Sequence, residues 1–389
     1  MRRIYLDNSA TSFPKPPAVA EAMANFARQC GASAGRGAYA EARACGEILA
    51  TCRQRIARLI NAESPQTIVF TLNCSHGLNI VIHGLLNAAS PKAHAITTAL
   101  DHNSVLRPFN ALAAAGFIEP TFLPCDGRTG LVDVDDLRRA IRPDTRLIAV
   151  AHASNVTGTL QPVAQIAAVA RRAGVPLLVD AAQSAGHVPI DVQAWGADFV
   201  AFPGHKGLLG PLGTGVLYIR PGADTALPTM HEGGTGTVSE LAVQPESMPD
   251  KYEVGSHNAI GIAGLSEGVA WLLERGVENV RNESLAHCRR FLCRLADVPA
   301  LTVFGPSAEE LEYRTDVFSI RLAHHAPYAL ANLLESRFGI LTRPGLHCAP
   351  LAHRTIGTYP EGTTRLSFGP FTTAADVDLA VEAIQAVGS

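Results

Sequence analysis

Short apolar runs alternate with helical patterns through the middle of the chain. Six runs rich in Val and Ile, each bounded by turn residues, predict buried strands at 67–70, 94–98, 146–151, 175–180, 198–202 and 215–219. Helices are predicted between them at 75–89, 104–116 and 162–174, and the last has Pro162 near its start and Gly174 at its end. Strands that alternate with helices predict an α/β fold with a mostly parallel sheet covered on both faces.

The pattern changes after residue 260. A helical stretch at 261–276 continues as a charged helical stretch to about 297, and shorter strand-like pieces follow at 301–305, 317–322 and 363–369, with a helix at 327–339. We therefore expect a large α/β domain over residues 15–260 and a smaller α+β domain built from residues 1–14 and 261–389.

Composition narrows the function classes. The chain has 389 residues, of which 47% are hydrophobic and 17% charged, as in an ordinary soluble enzyme. A formal net charge of −3 gives no electrostatic case for nucleic acid or an anionic membrane as a partner. We find no run long enough to span a bilayer and no secretory signal, so a cytoplasmic location is expected.

The eight cysteines have no C-x-x-C pair and no zinc-ligand spacing, and they lie at positions 30, 45, 52, 74, 125, 288, 293 and 348. We expect no metal site, and most of these thiols are expected to be reduced, buried side chains.

Polar residues follow four of the predicted strands. These residues are His102, Asn155, Asp180 and Lys206, the last within the glycine-rich stretch 202–215. Each has a purely structural interpretation: a helix cap for Asp180 or His102, an Asx-turn for Asn155 and a solvated loop for Lys206. Because ligands bind beyond the carboxyl ends of parallel strands, we expect all four to meet at one crevice.

Pyridoxal 5'-phosphate is the ligand whose chemistry matches these side chains. Its aldehyde condenses with a lysine amine, and its pyridine nitrogen stays protonated beside a carboxylate. Its ring hydroxyl takes a hydrogen bond from an amide, and its ring stacks on an imidazole. Its phosphate suits a helix N-terminus with hydroxyls, which the stretch 73–77 offers, with Ser75 as donor.

The chain resembles the cysteine desulfurase group of the class V aminotransferase superfamily. The stretches that carry this resemblance are "YLDNSAT" (5–11), "DHNSVLRP" (101–108), "HASNVTGTLQP" (152–162), "VDAAQSAGHVPIDV" (179–192), "GHKGLLGPLGTG" (204–215), "YEVGSHN" (252–258) and "RPGLHCAP" (343–350). The resemblance implies fold type I of the pyridoxal-phosphate enzymes, with a seven-stranded sheet between helices in the large domain and a smaller α+β C-terminal domain.

The resemblance also implies a role for each matching residue. Lys206 would form the Schiff base, Asp180 would face the pyridine nitrogen, and Gln183 and Asn155 would reach the ring hydroxyl. His102 would stack on the ring and move protons. The phosphate would be held by Ser75 and His205, by Cys74 in the same loop, and by Ser256 from the other subunit of a homodimer.

Two positions depart from the family pattern. Cys74 stands where the phosphate loop usually has a threonine, and Pro203 replaces a hydroxyl residue two positions before the family histidine. Proline has neither a side-chain donor nor a backbone N–H, so phosphate contacts at that point are in question.

The reaction is indicated by Cys348, beside His347 and five residues after Arg343. Nearby cations favour a thiolate, and the resemblance to SufS-like group II enzymes implies that Cys348 is the nucleophile that becomes a persulfide. Arg365 and Arg343, with Asn155, are expected to bind the substrate carboxylate. A buried structural cysteine and a surface arginine are the alternatives for Cys348 and Arg365.

The function that follows is conversion of L-cysteine to L-alanine, with the sulfur passed to an acceptor protein or thiol. Selenocysteine lyase activity is the nearest alternative on the same site. Transamination, kynureninase-like cleavage and cofactor binding without turnover are further alternatives, and PLP itself does not distinguish among them.

Overall fold

The computed structural model describes residues 2–87 and 92–388. The strands are β1 (Ile4–Tyr5), β2 (Ile68–Thr71), β3 (Ala93–Thr98), β4 (Ile118–Leu123), β5 (Thr145–Ala151), β6 (Leu177–Asp180), β7 (Phe199–Pro203), β8 (Gly215–Ile219), β9 (Leu301–Val303), β10 (Val317–Leu322), β11 (Ile340–Leu341), β12 (Arg343–Gly345) and β13 (Thr363–Ser367). The helices are α1 (Pro17–Asn25), α2 (Ala40–Leu59), α3 (Cys74–Leu86), α4 (Asn103–Ala114), α5 (Val134–Ala140), α6 (Val163–Ala173), α7 (Val192–Trp195), α8 (Ala259–Arg275), α9 (Val277–Leu295), α10 (Pro327–Phe338), α11 (Pro350–Thr355) and α12 (Ala374–Gly388).

A seven-stranded sheet in the order β2-β8-β7-β6-β5-β3-β4 forms the centre of the molecule. Strands β3 to β7 run parallel, and β8 pairs antiparallel with both β7 and β2. Neighbouring residues along each strand face opposite sides, so Ile148 and Val150 join one core while Leu147 and Ala149 join the other. Both faces of the sheet are therefore buried, which confirms the predicted α/β class.

In the central sheet the observed strands lie close to the predicted ones, and one strand of this sheet was missed. The predicted strand 94–98 is observed as Ala93–Thr98, and the predicted helix 75–89 ends at Leu86; residues 88 and 89 lie outside the described residues. Strand β4 was not predicted because Glu119 and Pro120 interrupt its apolar pattern. It lies at the edge of the sheet and, among the described residues, pairs only with β3. An edge strand tolerates proline because one of its sides has no partner strand.

The C-terminal part has its own sheet and core. Strands β12-β13-β10-β9 form an antiparallel sheet, and β1 pairs with β11, so the N-terminal segment joins this part of the chain. Phe291, Phe318 and Phe368 pack together at its centre. The predicted domain boundary at 260/261 falls inside α8, whose Leu265 and Val269 pack with the large sheet because their apolar face covers that core. The packing of α8 therefore groups this helix with the large sheet. The division of the chain into two domains stays a prediction.

Among residues 2–87 and 92–388, no helix is both long enough and apolar enough to cross a membrane.

Candidate active site

The carboxyl edge of the central sheet forms a cleft. His102, Asn155, Asp180 and Lys206 come after β3, β5, β6 and β7, which are neighbours in the sheet, so the strand order brings them together as expected. The other polar residues that line the cleft are Asn73, Cys74, Ser75, Ser104, Gln183 and His205.

Lys206 lies in a turn that packs tightly on the loop after β6. A Cβ atom on Gly207 would lie only 2.1 Å from the carbonyl oxygen of Ala185, so the residue after Lys206 must be glycine. Among the described residues, Lys206 Nζ has no hydrogen-bond or ion-pair partner. Burial lowers the pKa of Lys206, partly opposed by the carboxylate of Asp180, which favours a neutral, nucleophilic amine.

Asp180 ends β6 with one carboxylate oxygen held and the other facing the cleft. Its Oδ1 accepts hydrogen bonds from the Ala182 N–H at 2.9 Å and from Cys74 Sγ at 3.5 Å. Oδ2 has no partner in the part of the chain that the structure describes. Burial raises the pKa of Asp180, and a cationic ligand nitrogen placed beside Oδ2 would favour the ionised form.

The N-terminus of α3 and the imidazole of His205 form an end of the cleft that is suited to an anion. Asn73 caps α3 by accepting the His76 N–H at 2.9 Å, and in the described residues the N–H groups of Cys74 and Ser75 have no partner. His205 Nδ1 is buried, with no hydrogen-bond partner among the described residues. Pro203 lines this end and, as expected for proline, offers no hydrogen-bond donor.

His102 caps α4 and lines the cleft, so its structural and its predicted roles are compatible. Its Nδ1 accepts the Ser104 N–H at 3.0 Å, which leaves the ring proton on Nε2. Burial, followed by the nearby charge of Lys206, lowers the pKa of His102 to about 4. The ring is therefore neutral at pH 7.

Ser104 is a cleft residue that the sequence analysis missed. Its hydroxyl bonds Ser75 Oγ at 2.7 Å and His102 Nδ1 at 2.9 Å. Its position two residues after a histidine that caps a helix was the available signal, because the first turn of α4 points its side chains into the same crevice.

The two amide side chains expected at the ring hydroxyl line the cleft and are held by backbone carbonyls. Gln183 Nε2 donates to Ser9 O at 3.1 Å, and Asn155 Nδ2 donates to His347 O at 2.6 Å. The second contact ties the wall of the cleft to the residue that precedes Cys348.

Cys348 is exposed, in a turn between β12 and α11. Its carbonyl accepts the Asn103 N–H at 2.8 Å, and Arg343 lies 3.7 Å from its Sγ. His347 and Cys348 both have left-handed backbone conformations, with φ of 50° and 58°, which are strained for residues other than glycine. The turn is therefore held in place by contacts with α4 and Asn155.

Arg365 is buried in the middle of β13, an inner strand of the small sheet, and it is not a surface residue. One guanidinium nitrogen pairs with Asp7 at 2.6 Å and another bonds Asn155 O at 3.2 Å. Its Nε is buried and has no partner among the described residues. Burial lowers the pKa of Arg365, although an arginine remains charged. The side chain thus contacts Asn155 in the cleft wall and retains donor capacity.

Among the described residues, four of the predicted site residues do not line the cleft around Lys206, and these are Arg343, Cys348, Arg365 and Ser256. The first three are connected to its wall through contacts with Asn155 and α4, whereas Ser256 lies apart. It is exposed and lines a second cavity with Glu253, His257 and His76, and it does not line the cleft around Lys206 in this chain. This placement leaves open the prediction that it serves a neighbouring subunit.

The cleft fits pyridoxal phosphate by the chemistry of its donors. Counting partners within residues 2–87 and 92–388, it has an unpartnered amine at Lys206, a free carboxylate oxygen at Asp180, and an orphaned buried nitrogen at His205 beside the free N–H groups of α3. These groups match an aldehyde, a pyridine nitrogen and a phosphate respectively.

Comparison with known proteins agrees with this chemistry. The sequence model of the family Aminotransferase class-V matches residues 4–380. The chain is 33% identical to a probable cysteine desulfurase of Methanothermobacter thermautotrophicus over 99% of this chain and 94% of the relative. It is 34% identical to a cysteine desulfurase of Cronobacter sakazakii, with 96% and 90% covered.

Solved structures show the same similarity. The apo structure of cysteine desulfurase from Thermococcus onnurineus NA1 matches with a TM-score of 0.93 and 30% identity, covering 99% of this chain and 94% of that one. The cysteine desulfurase CsdA from Escherichia coli matches with a TM-score of 0.88 and 31% identity, with 98% and 94% covered. The resemblance indicated by the sequence motifs and the fold it implies are thereby confirmed.

Proposed function

The chain belongs to the class V aminotransferase family, and from this membership we propose that it is a pyridoxal-phosphate-dependent cysteine desulfurase of the SufS-like group II. It would convert L-cysteine to L-alanine and carry the sulfur as a persulfide on Cys348. The observation that carries the proposal is the hydrogen bond from Asn155, in the wall of the Lys206 cleft, to the carbonyl of His347. This contact fixes the turn that bears Cys348 against the cleft.

The cofactor would be held at three points. Lys206 would bind it covalently, and Asp180 would pair with its pyridine nitrogen. Ser75, His205 and the first-turn N–H groups of α3 would bind its phosphate, while His102 would stack on the ring. Gln183 and Asn155 already present amide groups to the cleft. When bound, the cofactor supplies an electron sink that stabilises a negative charge at the substrate Cα.

Two residues of the chain would move protons. The lowered pKa of Lys206 favours the neutral amine, which can take the Cα proton of cysteine. His102 is neutral at pH 7 and can pass a proton through Nε2. Arg365 would bind the substrate carboxylate with its remaining donors, assisted by Arg343 and Asn155.

Cys348 would perform the sulfur transfer. Its thiolate attacks the sulfur of the substrate, and a sulfur–sulfur bond forms as the substrate's carbon–sulfur bond breaks. The electron pair of the broken bond passes to the substrate carbon, which takes up a proton and leaves as alanine. A guanidinium nitrogen of Arg343 lies 3.7 Å from Sγ. Exposure of Cys348 suits delivery of the persulfide to an acceptor protein or thiol.

A homodimer is the assembly we propose. Ser256 is exposed and does not line the cleft of its own chain, so it would reach the phosphate bound by a second copy.

Selenocysteine is a second candidate substrate, because a selenol ionises more readily than a thiol and the reaction would depend less on Cys348.

Alanine and sulfide released together test the reaction. We expect equal amounts of both from free cysteine and a reductant, and loss of both in Cys348→Ala. Cys293→Ala is the matched control, because Cys293 is also an exposed free thiol but lies on α9. Unchanged alanine release by Cys348→Ala would contradict the mechanism, and accumulation of a keto acid would indicate transamination. If Cys348→Ala keeps its rate only with selenocysteine, the lyase alternative is favoured.

A further inference from the structure

Lys15 is a half-buried cation without a carboxylate partner. Its Nζ donates to Ser12 Oγ at 2.9 Å and to the carbonyl oxygen of His205 at 3.2 Å. In residues 2–87 and 92–388, no acidic oxygen lies within 4.0 Å of this nitrogen. Burial lowers the pKa of Lys15 to about 8, so the ammonium is still charged in most molecules at pH 7. A cation held away from water without an anion is unfavourable, so an anion near this point would stabilise it.

The phosphate end of the cleft otherwise presents neutral donors. Ser75 offers a hydroxyl, α3 offers N–H groups, and His205 is uncharged at pH 7 because burial and the charges of Lys206 and Lys15 lower its pKa to about 4. Pro203 offers no hydrogen-bond donor. A phosphate monoester carries a charge of about −1.5 to −2 at pH 7, so these donors alone leave that charge uncompensated.

His205 contacts Lys15 and also lines the phosphate end of the cleft. Its carbonyl oxygen binds the ammonium of Lys15, and its side chain lines the cleft with a buried Nδ1 that has no partner among the described residues. A single residue therefore separates an uncompensated cation from the end of the cleft that is suited to an anion.

We propose that Lys15 supplies positive charge to the phosphate subsite across His205, in place of the hydroxyl that this chain lacks at Pro203. Lys15 acts through space and does not contact the reacting atoms. The inference rests on the proposed cofactor, and it concerns how the phosphate is recognised and not which reaction follows.

Two ligands that differ only in the phosphate test the proposal. Cofactor-free protein is prepared from the purified holoenzyme, and binding of pyridoxal 5'-phosphate and of pyridoxal is measured from the absorbance of the bound cofactor. Loss of one nearby charge is expected to weaken phosphate binding about tenfold in Lys15→Met, while the affinity for pyridoxal stays unchanged. Lys15→Arg should keep the affinity of the natural chain, and Lys15→Gln should behave as Lys15→Met does.

Thr11→Val is the matched control, because it removes a hydroxyl donor from the His205 carbonyl without changing charge and without removing a hydrogen bond of Lys15. It should not discriminate between the two ligands. If Lys15→Met weakens both ligands equally, Lys15 only holds the backbone next to Lys206 and the proposal is wrong. An unchanged affinity for pyridoxal 5'-phosphate would also overturn it. Failure of the natural chain to bind pyridoxal 5'-phosphate would instead refute the proposed function.

Discussion

Gly207→Ala tests whether the tight packing around Lys206 sets its position. The new Cβ would lie 2.1 Å from the Ala185 carbonyl oxygen and 2.6 Å from Cδ2 of His187, whereas ordinary contact begins at 3.4 Å. One of the two backbones must therefore move by about 1 Å, and overpacking of this kind typically costs about 1–3 kcal/mol of stability. Because Lys206 is the adjacent residue, its amine moves as well. A 1 Å displacement in an active site can lower the rate about 100-fold.

Gly46→Ala is the matched control, because Gly46 lies within α2 and a Cβ there meets nothing within 4 Å. Alanine should stabilise that helix by about 0.5–1 kcal/mol. Denaturant unfolding, cofactor content and kcat/KM for cysteine are measured for both variants. If Gly207→Ala keeps both the stability and the kcat/KM of the natural chain, the argument from backbone contact is refuted.

Two further predictions concern stability. Burial lowers the pKa of four histidines to about 3 or 4, and these are His102, His152, His205 and His353. The unfolded chain, with histidine pKa values near 6.5, binds more protons below that pH, so these histidines should lower the stability as the pH falls from 6.5 to 4. A denaturation midpoint that is equal at pH 7 and 5 would contradict this. Glu253→Gln should cost about 3–5 kcal/mol, because the Glu253 side chain is 3% exposed and pairs with Arg53 and His257. Glu335→Gln, in an exposed pair with Arg3, should change the free energy of unfolding by less than about 1 kcal/mol in the same measurement.

The sequence was most informative where one local pattern decided both the fold and the site. A polar residue directly after a buried apolar run, as at Asp180, marks a strand and its carboxyl end together. Parallel strands then bring such residues to one edge. The pattern failed at β4, where tertiary position overrides composition: Pro120 is tolerated because the strand has a partner on one side only.

Contacts between distant parts of the chain could not be predicted from local pattern. The Ser12 N–H donates to His205 O, and the side chain of Arg365 is shared between Asp7 and Asn155. Nothing in the spacing of these residues indicates that they meet. The left-handed backbone at His347 and Cys348 also lacked a signal, because neither is a glycine and the strain is supported by contacts made elsewhere.

The N-terminal segment from Asp7 to Lys15 has a consequence for the way the enzyme is made. Its Ser9 N–H donates to Ser367 Oγ at 2.8 Å, and its Asp7 pairs with Arg365, so the segment contacts residues that the ribosome adds 358 positions later. The same segment bonds the carbonyl of His205. A nascent chain can thus fold its central sheet early, but it acquires a finished substrate chamber only after residues 365 and 367 have been synthesised.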